Sequence, residues 1–150
     1  MRNGLQNQFT AMGDSSCYFL CLCKIAEEVI GGVDLDVIHS FDECVKRNYI
    51  KYNYADPGHA DNCFVLDPVR ILGEITGRAW SLRKITDPQQ IMGWKAGDNE
   101  YTVQRWCRKT TGKEITHFRR PTWDSLLNSQ TVKYGAIDAL YIFTVGGNKV

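Results

Sequence analysis

The chain has 150 residues, a formal net charge of +1 and a hydrophobic fraction of 43%, values typical of one globular domain with its own core. The small net charge argues against a protein that binds nucleic acid through a broad basic face. No apolar run approaches the roughly 18 residues that cross a bilayer, so the sequence predicts neither a membrane nor a nucleic acid as a partner.

The first predicted element is a helix over Ser16–Val29. Residues suited to the N-cap position, Asp14–Ser16, stand at its start, and Gly31 follows it in a position typical of a helix end. Its side chains are apolar on nearly every face. A helix of this kind is usually central in its domain, so we expect it to be largely buried.

Two more helices are predicted before the middle of the chain. Apolar residues recur every three or four positions over Asp34–Asn48, which indicates a helix with one buried face. A third helix begins at Pro68, with Asp67 as its cap, and ends at Gly77. Between these helices, Tyr49–Phe64 is rich in polar residues, proline and glycine, which predicts a loop.

The second half of the chain alternates polar and apolar residues, which is the pattern of β-strands. Strands are predicted over Arg78–Ile85, Tyr101–Arg108, Glu114–Arg119 and Ala139–Val145, with a turn over Lys109–Lys113. Helices followed by antiparallel strands indicate an α+β protein, here a single domain over residues 1–150. The stretches Tyr49–Phe64 and Asp87–Glu100 are long enough to shape a cleft.

Six cysteines raise the question of disulfides or a metal site. Cys17, Cys21 and Cys23 crowd one short apolar segment and the other three are scattered, a spacing that suits neither a disulfide framework nor a zinc site. Met1–Gln6 carries neither the apolar core nor the cleavage site of a signal peptide. We therefore expect a cytoplasmic protein with reduced thiols, which uses no metal and no cofactor.

One cysteine has the position expected of a nucleophile. A thiol reacts as its thiolate, and the dipole at a helix N-terminus favours that form. Cys17 lies in the first turn of the first predicted helix, whereas Cys21 and Cys23 lie deeper among apolar neighbours. Cys17 is therefore the candidate nucleophile, and the alternative is that it is a small core residue like many cysteines.

A nucleophilic thiol needs a base, and the base needs a partner that orients it. His117 lies in a predicted strand, while His39 lies on the exposed face of a helix and His59 in a loop. Asp124 follows His117 by seven residues and is the candidate partner, with Asn128 as the second candidate. The alternatives are a half-buried structural histidine and an aspartate that caps a turn or a helix.

The oxyanion of an acyl-transfer reaction needs hydrogen-bond donors. The backbone N–H of Cys17 is one such donor because of its place at the helix start, and a glutamine side chain upstream would supply the second. Gln8 precedes Cys17 by nine residues and Gln6 by eleven. Gln8 is therefore preferred, and the alternative is a solvated polar residue near the N-terminus.

Glutamine, cysteine, histidine and aspartate stand here in the order of a papain-type thiol site. With Cys17 before an apolar run, His117-Phe118, and the tract Trp123-Asp124-Ser125-Leu126, the chain resembles small papain-like cysteine peptidases. It is similar to bacteriocin-leader-processing peptidases and to phage-borne peptidase-like proteins. The resemblance implies a papain-like fold, in which N-terminal helices that include the nucleophile helix pack on a C-terminal antiparallel sheet. It also implies that a Cys–His–Asp triad cleaves an amide bond of a peptide or protein substrate.

Other functions stay open. The sequence has Ser16-Cys17-Tyr18 where the family commonly pairs its nucleophile with glycine, and Ser125 where a proline commonly follows the aspartate. A catalytically silent binding module of papain-like fold, for example a phage-encoded factor that acts on a host protein, is one alternative. A cell-wall amidase is another. The sequence indicates neither a cleavage preference nor an oligomeric state.

Overall fold

A computed structural model describes residues 17–31, 35–52, 63–110, 113–119 and 136–149. Over these ranges the chain forms four helices and six strands. Helices pack on antiparallel strands, which confirms the predicted α+β class. The chain divides into two compact units, a first unit over Met1–Gly77 and a second over Arg78–Val150. A single domain over residues 1–150 stays a prediction.

The first unit contains three helices and a two-stranded sheet among its described residues. In chain order its elements are α1 (Cys17–Ile30), α2 (Val37–Lys46), β1 (Ile50–Tyr52), β2 (Cys63–Val65) and α3 (Pro68–Thr76). The three helices lie where the sequence predicts them, with ends that differ by a few residues. Helix α1 packs against α3, and α2 packs against β1.

Contacts between side chains and the local backbone set the ends of two of these helices. Asp36 caps α2, because its carboxylate accepts the backbone N–H of His39 at 3.0 Å. Asp67 caps α3 in the same way, accepting the backbone N–H of Arg70 at 3.1 Å. Helix α3 ends at Gly77, whose φ of +69° lies in the left-handed region that glycine enters without strain.

The core of the first unit is built on α1. Its buried residues are Phe19, Cys21, Leu22, Cys23, Ile25 and Ala26. The rings of Phe19 and Phe41 pack edge-on with their centroids 5.4 Å apart. The rings of Phe41 and Tyr52 pack in the same way, with 5.3 Å between centroids. Aromatic rings prefer this geometry, and here it joins α1, α2 and β1 in one core. The expected burial of the first helix is confirmed.

The predicted loop over Tyr49–Phe64 is wrong at both ends. Strand β1 pairs antiparallel with β2, with Ile50 opposite Val65. Ile50 and Tyr52 are buried and Lys51 between them is exposed, which is the alternation of a half-buried strand. An alternation of only three residues does not stand out inside a polar segment, and its pairing partner is distant in sequence.

The second unit is a four-stranded antiparallel sheet with one short helix. Its described elements are β3 (Arg78–Ile85), α4 (Pro88–Gly93), β4 (Glu100–Thr110), β5 (Lys113–Arg119) and β6 (Ala136–Lys149). The strand order is β3-β6-β4-β5. The four predicted strands are confirmed: β3 has its predicted bounds and the other three are longer. Helix α4 was not predicted, and it lies within the stretch Asp87–Glu100 that was expected to shape a cleft.

Strand β6 forms the core of the second unit. Its buried residues include Ala139, Leu140, Ile142 and Phe143. Because neighbouring positions in a strand point to opposite faces, β6 is covered on both sides. Helix α4 packs against this strand. The register places Phe143 opposite Tyr101 of β4 and opposite Leu82 of β3.

A bidentate ion pair joins β4 to β6. Arg105 donates from Nε at 2.8 Å and from Nη2 at 3.0 Å to the two carboxylate oxygens of Asp138. The strand register shifts directly beside this pair, between Arg105 and Trp106. Both side chains are only partly exposed, so the pair is expected to contribute more than an ordinary surface ion pair.

Candidate functional site

The candidate nucleophile lies at the start of α1. The sequence predicts Cys17 in the first turn of this helix. Cys17 is the first residue of α1 that the structure describes, and its side chain is half-buried. The backbone N–H groups of a first helical turn have no partner inside the helix. Together with the aligned peptide dipoles they stabilise a negative charge. A thiolate is such a charge, so this position favours the reactive form of a thiol.

Three neighbouring thiols have the opposite environment. Cys21 and Cys23 of α1 and Cys44 of α2 are buried. Burial raises the pKa of Cys23 far above its ordinary value, and the nearby Cys44 raises it further. Burial also raises the pKa of Cys44 to about 11, with the Glu74 carboxylate adding to the effect. Cys23 and Cys44 therefore stay protonated at neutral pH and are poor nucleophiles.

Cys107 is a half-buried thiol of the second unit. It lies on β4 opposite Thr116 of β5, and the adjacent pair in the register is Trp106 opposite His117. Because Cys107 lies inside a strand, no helix N-terminus favours its thiolate.

The predicted base lies in a strand, as the sequence indicates. His117 is part of β5, at one edge of the four-stranded sheet. Of the other histidines, His39 is exposed on α2 and its backbone N–H is bonded to the cap residue Asp36. His59 lies outside the described residues. His117 stays the preferred base.

The other predicted site residues lie outside the described part of the chain. They are Gln8 and Asp124, together with their alternatives Gln6 and Asn128. Cys17 belongs to the first unit and His117 to the second. The joint action of Cys17, His117 and Asp124, with Gln8 at the oxyanion, therefore stays a prediction.

Two further observations concern metal binding and membrane spans. Among the described residues, no three His, Cys, Asp or Glu side chains group closely enough to hold a metal ion. No helix in that part of the chain is long and apolar enough to cross a membrane.

The chain was compared with models of protein families, with curated proteins and with solved structures, and it matches none of them. Function is therefore inferred from the chain's own residues.

Proposed function

We propose that the chain is a cysteine hydrolase of papain-like architecture with Cys17 as its nucleophile. The position of Cys17 carries the proposal. Of the five cysteines whose side chains the structure describes, only this one combines a helix start with a half-buried side chain. Cys21, Cys23 and Cys44 are buried, and Cys107 lies inside a strand. At helix N-termini and beside cationic groups, thiol pKa values fall to about 3.5–7.5.

In the proposed reaction the thiolate of Cys17 attacks the carbonyl carbon of an amide bond in a peptide or protein. The backbone N–H of Cys17 and the side chain of Gln8 donate hydrogen bonds to the oxyanion. His117 takes the thiol proton and gives it to the leaving amine, while Asp124 orients the imidazole ring. The acyl group is then held on sulfur as a thioester. Water hydrolyses the thioester, giving its proton to His117 and restoring the thiol.

The proposed chemistry requires a reduced thiol and no cofactor, and we place it in the cytoplasm, where thiols stay reduced. Two experiments separate it from the other open functions. Cleavage of peptidoglycan fragments but not of proteins would identify a cell-wall amidase. Full biological effect of a Cys17→Ala protein would identify a binding module without turnover.

The primary test is the reactivity of each cysteine toward iodoacetamide, measured by mass spectrometry of the alkylated peptides. At pH 5.5 a thiol of pKa about 8.5 is roughly 0.1% thiolate, whereas a thiol of pKa about 6 is roughly one quarter thiolate. Thiolate nucleophilicity falls by about 0.4–0.5 log units for each unit of pKa. The net advantage of the low-pKa thiol is therefore about 20-fold at pH 5.5 but only about twofold at pH 7. We expect Cys17 to show this advantage at pH 5.5.

Two histidine variants make the test specific. His117→Gln removes the proposed imidazolium partner, so the advantage of Cys17 at pH 5.5 should largely disappear. His39→Gln removes an exposed histidine of α2 and should leave the rate unchanged. Uniform slow labelling of all cysteines, or equal effects of the two histidine variants, contradicts the proposal. A peptidyl epoxide should then label Cys17 in the wild-type chain and not in His117→Gln.

A further inference from the structure

The second unit contains a cleft of about 700 Å³ that the proposed reaction does not use. It is lined by α4 and the segment after it, and by strands β4 and β6. Its lining side chains include Ile91, Met92, Trp94, Gln104, Trp106 and Leu140. The cleft lies wholly within the second unit, so an inference about it does not depend on the role of Cys17.

Two indole rings line the cleft and differ in their polar contacts. The Nε1–H of Trp106 donates to Oε1 of Gln104 at 3.1 Å. The Nε1 atom of Trp94 is buried and has no acceptor among the described residues. Buried donors without acceptors are unfavourable and rare in native proteins. A buried atom cannot be reached from an open cleft, so neither indole N–H is available to a ligand, and the rings offer it apolar surface.

Two contacts hold Trp94 in place. The guanidinium carbon of Arg83 lies over the ring, 4.7 Å from its centroid, a distance at which a cation is attracted to the π-system. The backbone N–H of Trp94 donates to the carbonyl of Ile91 at 3.3 Å, at the end of α4. A side chain fixed in this way loses little freedom when a ligand binds, which favours affinity.

The lining indicates the chemistry of the ligand. Apart from Thr102, Gln104 and the indole N–H groups, the described lining residues are apolar, and none carries a charge. A charged ligand group would lose its hydration there without gaining a partner. The volume falls within the range of about 300–1,000 Å³ typical of small-molecule sites. We propose that the cleft binds a neutral, largely apolar small molecule that packs against the two indole rings and the aliphatic lining side chains.

Prodan, a neutral naphthalene ketone whose emission moves to the blue in apolar surroundings, is a suitable probe. Titrated with the full chain, it should bind saturably with blue-shifted emission. Trp94→Ala removes one of the two indole rings that line the cleft, and should weaken the affinity about tenfold, as expected for the loss of a large apolar contact. Ala136→Trp adds an indole at an exposed lining position and should abolish binding. Ala96→Trp makes the same test at a second exposed lining position.

Trp80→Phe is the matched control, because Trp80 contacts Tyr101 on the opposite face of the sheet. It should leave the affinity for prodan unchanged, and circular dichroism melting checks that each variant is folded. No saturable binding by the wild-type chain, or undiminished binding by the folded Ala136→Trp or Ala96→Trp chain, overturns the site. Undiminished binding by the folded Trp94→Ala chain overturns the contact between the ligand and the Trp94 ring. Tighter binding of the anionic 8-anilinonaphthalene-1-sulfonate than of prodan overturns the neutral class of ligand.

Discussion

The first unit is organised around a helix and the second around a strand. Helix α1 is buried at six positions, two of them cysteines, whereas β6 is an apolar strand covered on both faces. In each unit the group of chemical interest lies at the end of a helix. Cys17 is the first residue of α1, and Trp94 directly follows α4. Within the first unit, the proposed nucleophile Cys17 and the buried thiols Cys21 and Cys23 thus differ mainly in their position along one helix.

The largest effect is expected from Phe41→Ala, which disrupts the core of the first unit. Phe41 is fully buried and meets both Phe19 and Tyr52 edge-on. The variant leaves a cavity and loses both ring contacts, so the free energy of unfolding should fall by about 3–5 kcal/mol. Urea unfolding followed by circular dichroism measures the loss. Phe64→Ala is the control, because Phe64 is 45% exposed and its loss should remain below about 1 kcal/mol.

The next effect concerns the ion pair of the second unit. Asp138→Asn keeps the shape of the side chain but removes the charge that holds Arg105 through two hydrogen bonds. We expect a loss of about 1–2 kcal/mol in the free energy of unfolding, because the pair is partly buried. The matched control is Glu27→Gln, which breaks the surface pair with Lys24 at 3.2 Å and should change stability by less than about 0.5 kcal/mol. Equal losses in the two variants would show that the partly buried pair contributes no more to stability than the surface pair.

Sequence reasoning succeeds here where the structural cause is local. The helix at Pro68 begins after Asp67 and ends at Gly77 because the cap carboxylate and the glycine act within one helical turn. The alternation in β4 also places residues correctly, since Thr102, Gln104 and Trp106 share one face and line one cleft.

Where the cause is distant in sequence, the same reasoning fails or stops. Strand β1 depends on a pairing between Ile50 and Val65 that no short pattern encodes. The cleft is lined by residues as distant in sequence as Trp94 and Leu140. A periodic pattern within one segment therefore cannot predict it. Helix α4 is different, because Asp87 before a proline is a local start signal: its carboxylate accepts the backbone N–H of Gln89 at 3.0 Å. The sequence Asp87-Pro88 could therefore have predicted this helix.

A smaller effect tests these local signals directly. Asp67→Ala removes the acceptor for the backbone N–H of Arg70 and should lower the free energy of unfolding by about 1 kcal/mol, as for other N-caps. Asp67→Asn is the matched variant, because asparagine caps helices about as well as aspartate. Urea unfolding should therefore find it close to the wild-type protein. If both variants lose the same stability, the contribution of Asp67 comes from its charge and not from its cap.

The smallest effect is a pH dependence that comes from the core of the first unit. Burial raises the pKa of Cys44 from 9.0 to about 11. A thiol whose pKa is raised by folding is still protonated in the folded chain where the unfolded chain has lost its proton. Its contribution to stability is therefore complete below about pH 9 and is lost as the pH rises through about 11. At pH 9.5 the loss should be just under ~1 kcal/mol, measured as the fall in the free energy of urea unfolding from pH 7.5.

In Cys44→Ala, the fall in the free energy of unfolding between pH 7.5 and pH 9.5 should be smaller by just under ~1 kcal/mol. The variant is nevertheless less stable than the wild-type protein at both pH values. Val45→Ala, at the next position of α2, removes apolar packing without removing a titratable group, so it should keep the wild-type fall. All other titratable side chains are the same in the three proteins, so the difference between the variants isolates the thiol. An equal fall in wild type and Cys44→Ala would mean that Cys44 ionises in the folded chain near its ordinary pKa. Burial would then no longer separate the inert thiols from Cys17, and the case for Cys17 would depend on its helix position alone.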